Sequence, residues 1–161
     1  MIQAMTSATF PMRVVLQRVT SASVAIEGQI IDDIDRGLLV FVGIEESDNA
    51  TDGQWLADKI AKLRIFADAD GQMNLSVRDI SGGILLISQF TLHASTQKGT
   101  RPSFNRAAPP AHAEPLYNQF IAQLSTALGR PVATGKFGAD MQVSLVNDGP
   151  VTLIIDSKQR E

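Results

Sequence analysis

The spacing of hydrophobic positions along this chain switches repeatedly between a period of two and one near 3.6. Arg13 to Ile26 is Val-rich and alternating, and Gly37 to Ile44 reads GLLVFVGI, so the chain opens with antiparallel strands joined near Glu27-Gly28 and Asp32 to Arg36. From Asp48 to about Phe66, Leu56, Ile60 and Leu63 fall on one helical stripe with Asp58, Lys59 and Lys62 outside it, which predicts a helix capped by Ser47 or Asp48. Asp68 to Gly83 is polar and punctuated by Gly, with room for a short strand around Asn74 to Val77. Ile84 to Leu92 then forms the most continuous apolar strand pattern.

His93 to Pro110 follows as a long irregular stretch rich in Ser, Thr, Gly and Pro, and a loop of that length inside a compact domain is more often functional than idle. Leu116, Phe120, Leu124 and Leu128 at steps of four predict a second helix over His112 to Leu128, with Pro115 in its first turn and Gly129-Arg130-Pro131 as its stop. Strand patterns at about Val132 to Phe137, Met141 to Val146 and Val151 to Ile155 close the chain. The order predicts an α+β domain of mixed, largely antiparallel sheets with two packing helices.

Composition keeps this picture and removes several classes of function. At 161 residues the chain fits one domain with a core of its own. The absence of Cys excludes disulfides, thiolate nucleophiles and thiolate metal ligands. No apolar run approaches the roughly 18 residues of a membrane span, so a soluble, cytoplasmic protein is expected. Residues 1–11, MIQAMTSATFP, carry no charge and precede a second possible start at Met12; they read as a frayed extension or a misplaced start, with the functional domain at 12–161. The net charge of -3 argues against indiscriminate nucleic-acid binding, yet Ile80 to Ala139 holds Lys98, Arg101, Arg106, Arg130 and Lys136 against the single acid Glu114.

Two short motifs carry the candidate chemistry. Ser88-Gln89-Phe90-Thr91-Leu92 lies where the buried strand meets the polar loop, and strict alternation would put Ser88, Phe90 and Leu92 on one face and Gln89, Thr91 and His93 on the other. Asn147-Asp148-Gly149-Pro150 is by its residues alone a turn. The two His residues, His93 and His112, are not spaced as ligands with nearby carboxylates, so neither a metal nor a cofactor is expected.

Together with MRVVLQRV from Met12, GLLVFVGI, Gly99 to Phe104, and Phe137-Gly138-Ala139-Asp140-Met141 running on to Thr152, these motifs resemble the D-aminoacyl-tRNA deacylases in order from Met12 to about Asp156. The resemblance implies a homodimer that hydrolyses the ester of D-aminoacyl-tRNA, and of glycyl-tRNA carrying the wrong tRNA. It implies further that Gly149 and Pro150, with their peptide bond cis, enter the partner's pocket as a chiral gate around the Ser88 to Thr91 segment. Phe137 and Met141 are candidates for lining the amino-acid or adenosine pocket, and Arg18, Lys98, Arg101 and Lys136 for meeting tRNA phosphates.

Two mechanisms compete. A Thr91 nucleophile needs a base, and His93, two residues on in an extended strand, is out of direct reach unless the chain bends after Leu92. The reading preferred here has the 2′-hydroxyl of the terminal adenosine assist, with backbone N–H groups near Phe90 and Thr91 stabilising the oxyanion. Thr91 then positions rather than attacks.

Overall fold

The computed structural model describes residues 12–160. The reading of residues 1–11 lies outside them. The strands are β1 (Arg13–Ile26), β2 (Gln29–Ile34), β3 (Gly37–Gly43), β4 (Phe66–Ala67), β5 (Met73–Leu75), β6 (Gly83–Ser88), β7 (Ala133–Thr134) and β8 (Gln142–Asp156). The helices are α1 (Ala50–Lys62) and α2 (Pro110–Leu128), with a 3-10 turn at Phe90–His93.

The long β1 organises one mixed six-stranded sheet. Its second half pairs antiparallel with β2 and its first half with β3, while β8 runs antiparallel along nearly its whole length. Two crossovers, through α1 and through α2, bring β6 parallel to β3 and β7 parallel to β6. The result is a mixed α+β domain with two helices on one sheet, and a separate β4–β5 ribbon.

Continuous apolar runs in β3 and β6 follow from burial on both faces. Leu38, Val40 and Val42 of β3 and Ile84 and Leu86 of β6 pack with Leu56, Ile60, Phe120 and Leu124 of the helices. Leu39, Leu85 and Ile87 pack on the other face with Val19 and Val24 of β1. β3 and β6 begin almost in contact: a Cβ on Gly37 would lie 1.9 Å from the Gly83 carbonyl oxygen, so only Gly fits.

Several element boundaries differ from those the periodicity predicts. α1 is capped by Asn49, whose side chain accepts from Thr51 and Asp52 N–H while Asp52 accepts from Asn49 N–H. Asp48 is not the cap because its buried carboxylate is occupied by the Glu45 N–H and by Lys158. Desolvation by that burial pushes the Asp48 carboxyl up to about 6. α2 starts two residues early, with Pro110 in its first turn, and therefore carries Pro115 inside the helix.

The predicted strand Ile84 to Leu92 ends at Ser88, and the predicted strands Met141 to Val146 and Val151 to Ile155 are one strand, β8. Asn147 to Pro150 is thus not a hairpin turn. Both of its flanks remain paired to the same partner, β1.

Candidate active site

β6 ends against Gly43. The last ladder bond runs from Gln89 N–H to the Val42 carbonyl at 2.7 Å, after which Leu92 N–H bonds back to the Gln89 carbonyl and the chain turns. The turn folds over a glycine: a Cβ at Gly43 would lie 2.9 Å from Leu92 Cβ, 3.0 Å from the Gln89 carbonyl oxygen and 3.1 Å from the His93 ring. Arg13 holds it from below, its Nη1 donating to the Leu92 carbonyl at 3.1 Å and its Nε paired with Asp156 at 2.8 Å.

Alternating faces across Ser88 to His93 therefore do not exist, because a helical turn replaces the strand. Gly43→Ala is expected to lose about 1–3 kcal/mol of stability through overpacking. A urea midpoint equal to that of the parent chain would show that the turn does not depend on this contact.

A cavity of about 530 Å³ opens beside the turn, in the size range of small-molecule sites. Ser88, Gln89 and Phe90 line it together with Phe137 and Met141 and with the buried Ile44, Ala108 and Ala113. The lining is apolar apart from Ser88, Gln89 and Asp140. Phe137 is backed by Tyr117, ring centroids 5.8 Å apart, and the Tyr117 hydroxyl donates to the Leu86 carbonyl. Burial pushes that phenol up to about 12, so it remains a neutral donor.

Thr91 does not line the cavity. Its hydroxyl accepts from the Gln89 side-chain amide. The chain does bend at Leu92, but the Thr91–His93 dyad does not form: His93 is buried, and its Nε2 has no hydrogen-bond partner among the described residues. Desolvation holds the imidazole below its usual range. A helical turn leaves its leading N–H groups without intrahelical partners, and Phe90 and Thr91 lead this one.

Gly149 and Pro150 lie on an exposed bulge of β8 and do not line the cavity of their own chain. Asn147 pairs with Val19 and Thr152 with Gln17, so residues 148 to 151 stand opposite the single β1 residue Arg18. The peptide bond between Gly149 and Pro150 is cis. Arg18 fastens the bulge: its Nε contacts the Asp148 carbonyl at 3.0 Å and carboxylate at 3.2 Å, and its Nη1 donates to the Ile65 carbonyl at 2.6 Å. Asn147 Nδ2 donates to the Arg18 and Val151 carbonyls.

Arg18, expected as a phosphate contact, has a side chain only 14% exposed and a guanidinium engaged with Asp148 and Ile65. Lys98, Arg101 and Lys136 are exposed, the first two on a loop closed by a Ser95–Ser103 bridge. Sequence reading missed Arg13, Gly43 and Asn147, which hold the two segments in place. It also missed Phe104, which lines the cavity and touches Phe90 edge to face. All four stand inside segments that carry the resemblance, Arg13 in MRVVLQRV, Gly43 in GLLVFVGI, Phe104 at the end of Gly99 to Phe104 and Asn147 at the head of Asn147 to Pro150, but nothing in those patterns gives their roles.

The sequence pattern of the family described as D-Tyr-tRNA(Tyr) deacylase matches residues 15–156. A D-aminoacyl-tRNA deacylase of Opitutus terrae is 63% identical over 150 residues, covering 93% of this chain and all of the relative. One of Flavobacterium psychrophilum is 59% identical over the same share of both. Among solved structures, one titled c-Myc DNA Unwinding Element Binding Protein superposes with a TM-score of 0.85 at 42% identity, over 90% of this chain and 98% of that one. A probable eukaryotic D-amino acid tRNA deacylase, at 17% identity and a TM-score of 0.79 over 90% of this chain and 98% of that one, shares the fold.

The matching family pattern and the two relatives place this α+β domain, with its cavity at the end of β6, among hydrolases acting on aminoacyl-tRNA. Within that class, the chain belongs to the D-Tyr-tRNA(Tyr) deacylase family, and its activity is D-aminoacyl-tRNA deacylation, a proofreading step of translation.

Proposed function

We propose that chirality is enforced in trans: two copies of the chain associate, and the Gly149-Pro150 bulge of each enters the cavity of the other beside Ser88, Gln89 and Phe90. One observation carries this reading. The bulge is exposed, is held by Arg18 and Asn147, and stands away from the cavity of its own chain. A segment so fastened has a purpose outside the strand it interrupts.

Two exposed apolar residues of β8, Val146 at 57% and Ile154 at 70%, support burial against a second copy. Rigid backbone close to the substrate α-carbon excludes an L side chain by overlap, whereas glycine presents only hydrogens there. Glycyl-tRNA is accordingly a substrate alongside D-aminoacyl-tRNA. Deacylation of D-, L- and glycyl-tRNA by one preparation tests the filter; release from the L form at a rate near that of the D form removes it.

Water attacks the ester carbonyl, assisted by the 2′-hydroxyl of the terminal adenosine, and the 3′-oxygen leaves with a proton. The Phe90 and Thr91 N–H groups take the oxyanion. Ser88 and Gln89 complete that site, Phe137 and Met141 receive the acyl end, and Lys98, Arg101 and Lys136 meet phosphates. No cofactor or metal enters this scheme, and the setting is the cytoplasm.

Thr91→Ala is expected to retain deacylation within about tenfold of the parent chain, because it releases the Gln89 amide but removes no nucleophile. A loss of several thousandfold with tRNA binding intact would return Thr91 to the nucleophile's role. A second reading, nucleic-acid binding without turnover, draws on the relative titled for DNA. Release of labelled amino acid from D-aminoacyl-tRNA at substoichiometric protein separates the two.

A further inference from the structure

We propose that Phe104, with Phe90, is a stacking platform for the unpaired nucleotides preceding the terminal adenosine of the tRNA, and that the Lys98–Arg101 loop meets their phosphates. This rests on aminoacyl-tRNA being the substrate. Phe90 is 57% and Phe104 38% exposed, whereas every other aromatic ring among the described residues is at least partly buried. Both rings line the cavity and touch each other, so they present adjoining apolar surface to water beside it.

Their geometry favours a flat ligand. The ring centroids are 5.2 Å apart at 70°, an edge-to-face pair in which one ring braces the other. The chain around them is equally specific. Ser95 and Ser103 exchange two backbone hydrogen bonds of 2.7 and 2.8 Å, closing the loop that ends at Phe104. Every residue of that loop from Thr96 to Pro102 is exposed, including Lys98 and Arg101, and Gly99 at its tip takes φ +67°. No acidic residue lies between Ile80 and Glu114.

Stacking faces beside a cationic loop are the combination that single-stranded nucleic acid requires: every base offers a π-face, and each linkage a phosphate. The cavity itself, at about 530 Å³, accommodates the aminoacyl ester and one nucleoside but not the strand leading to it. A strand whose 3′ end enters this cavity meets the exposed pair, because both rings line it.

The test compares full-length D-aminoacyl-tRNA with D-aminoacyl-adenosine, which lacks those nucleotides. Phe104→Ala is expected to lower the ratio of the two kcat/KM values by about tenfold, chiefly through KM on tRNA, since one base–aromatic stack is worth roughly five- to a hundredfold. Phe104→Trp restores the ratio. An unchanged ratio, or a fall that Trp does not recover, overturns the proposal.

Should Phe104→Ala fail to fold, Lys98→Ala combined with Arg101→Ala decides. Each single-strand phosphate contact contributes about 0.7 to the slope of log affinity for tRNA against log salt, so the double variant is expected to be shallower by about 1.4. An unchanged slope overturns the proposal. Failure of the parent chain to release label from either substrate would instead refute the deacylase reading beneath it.

Discussion

In a Gly149→Ala protein, deacylation of D-aminoacyl-tRNA is expected to fall by on the order of a hundredfold, the penalty for displacing a positioning element by about an ångström. The added Cβ would sit 2.4 Å from Asn147 Oδ1 and 3.1 Å from its Cγ, so Asn147 must move. Asn147 is the side chain that joins the Arg18 and Val151 carbonyls across the bulge, so its displacement loosens both flanks. In the proposed dimer the new methyl also occupies the space beside the substrate α-carbon, and that obstructs D and glycyl substrates alike. Single-turnover release from D- and glycyl-tRNA reads the loss, and sedimentation shows whether association survives. An unaltered rate with strict D selectivity would take Gly149 out of chiral selection.

Arg18→Ala carries the second large effect, about 2–3 kcal/mol of stability together with at least a tenfold loss of D-aminoacyl-tRNA turnover. Its guanidinium satisfies the Asp148 and Ile65 carbonyls from a side chain only 14% exposed, and removal leaves those acceptors without their charged donor. Arg18→Lys does not restore the parent chain, because a single ammonium cannot span the two directions that the planar fork serves. Urea unfolding measures the first quantity and deacylation the second. A shallower salt dependence of tRNA binding without loss of stability would instead make Arg18 the phosphate contact that its charge first indicated.

Both predictions concern a segment whose residues read as an ordinary turn. Asn-Asp-Gly-Pro is turn chemistry wherever it occurs, and nothing local distinguishes a hairpin from a bulge in a strand paired on both flanks. The difference lies in β1, some 130 residues earlier, where Arg18 stands alone opposite residues 148 to 151. Ser88 to Leu92 failed in a related way. The apolar run was visible, yet its end was set by Gly43 on the neighbouring strand, whose missing side chain lets the turn fold inward. The helix cap moved for an electrostatic reason, since Asp48 was already held by Lys158 from the far end of the chain.

What this sequence determined by itself is the alternation of periods: two amphipathic helices, the twice-buried runs of β3 and β6, and the motifs that mark the family. Periodicity reports which face of a residue's own element is buried, and that is a local property. Only the tertiary structure decided where β6 gives way to a turn, that Gly149-Pro150 is a braced bulge rather than a hairpin, and that Arg18 braces it instead of facing solvent. Each of those outcomes depends on a hydrogen-bond partner or a steric neighbour distant in the chain, which no local pattern encodes.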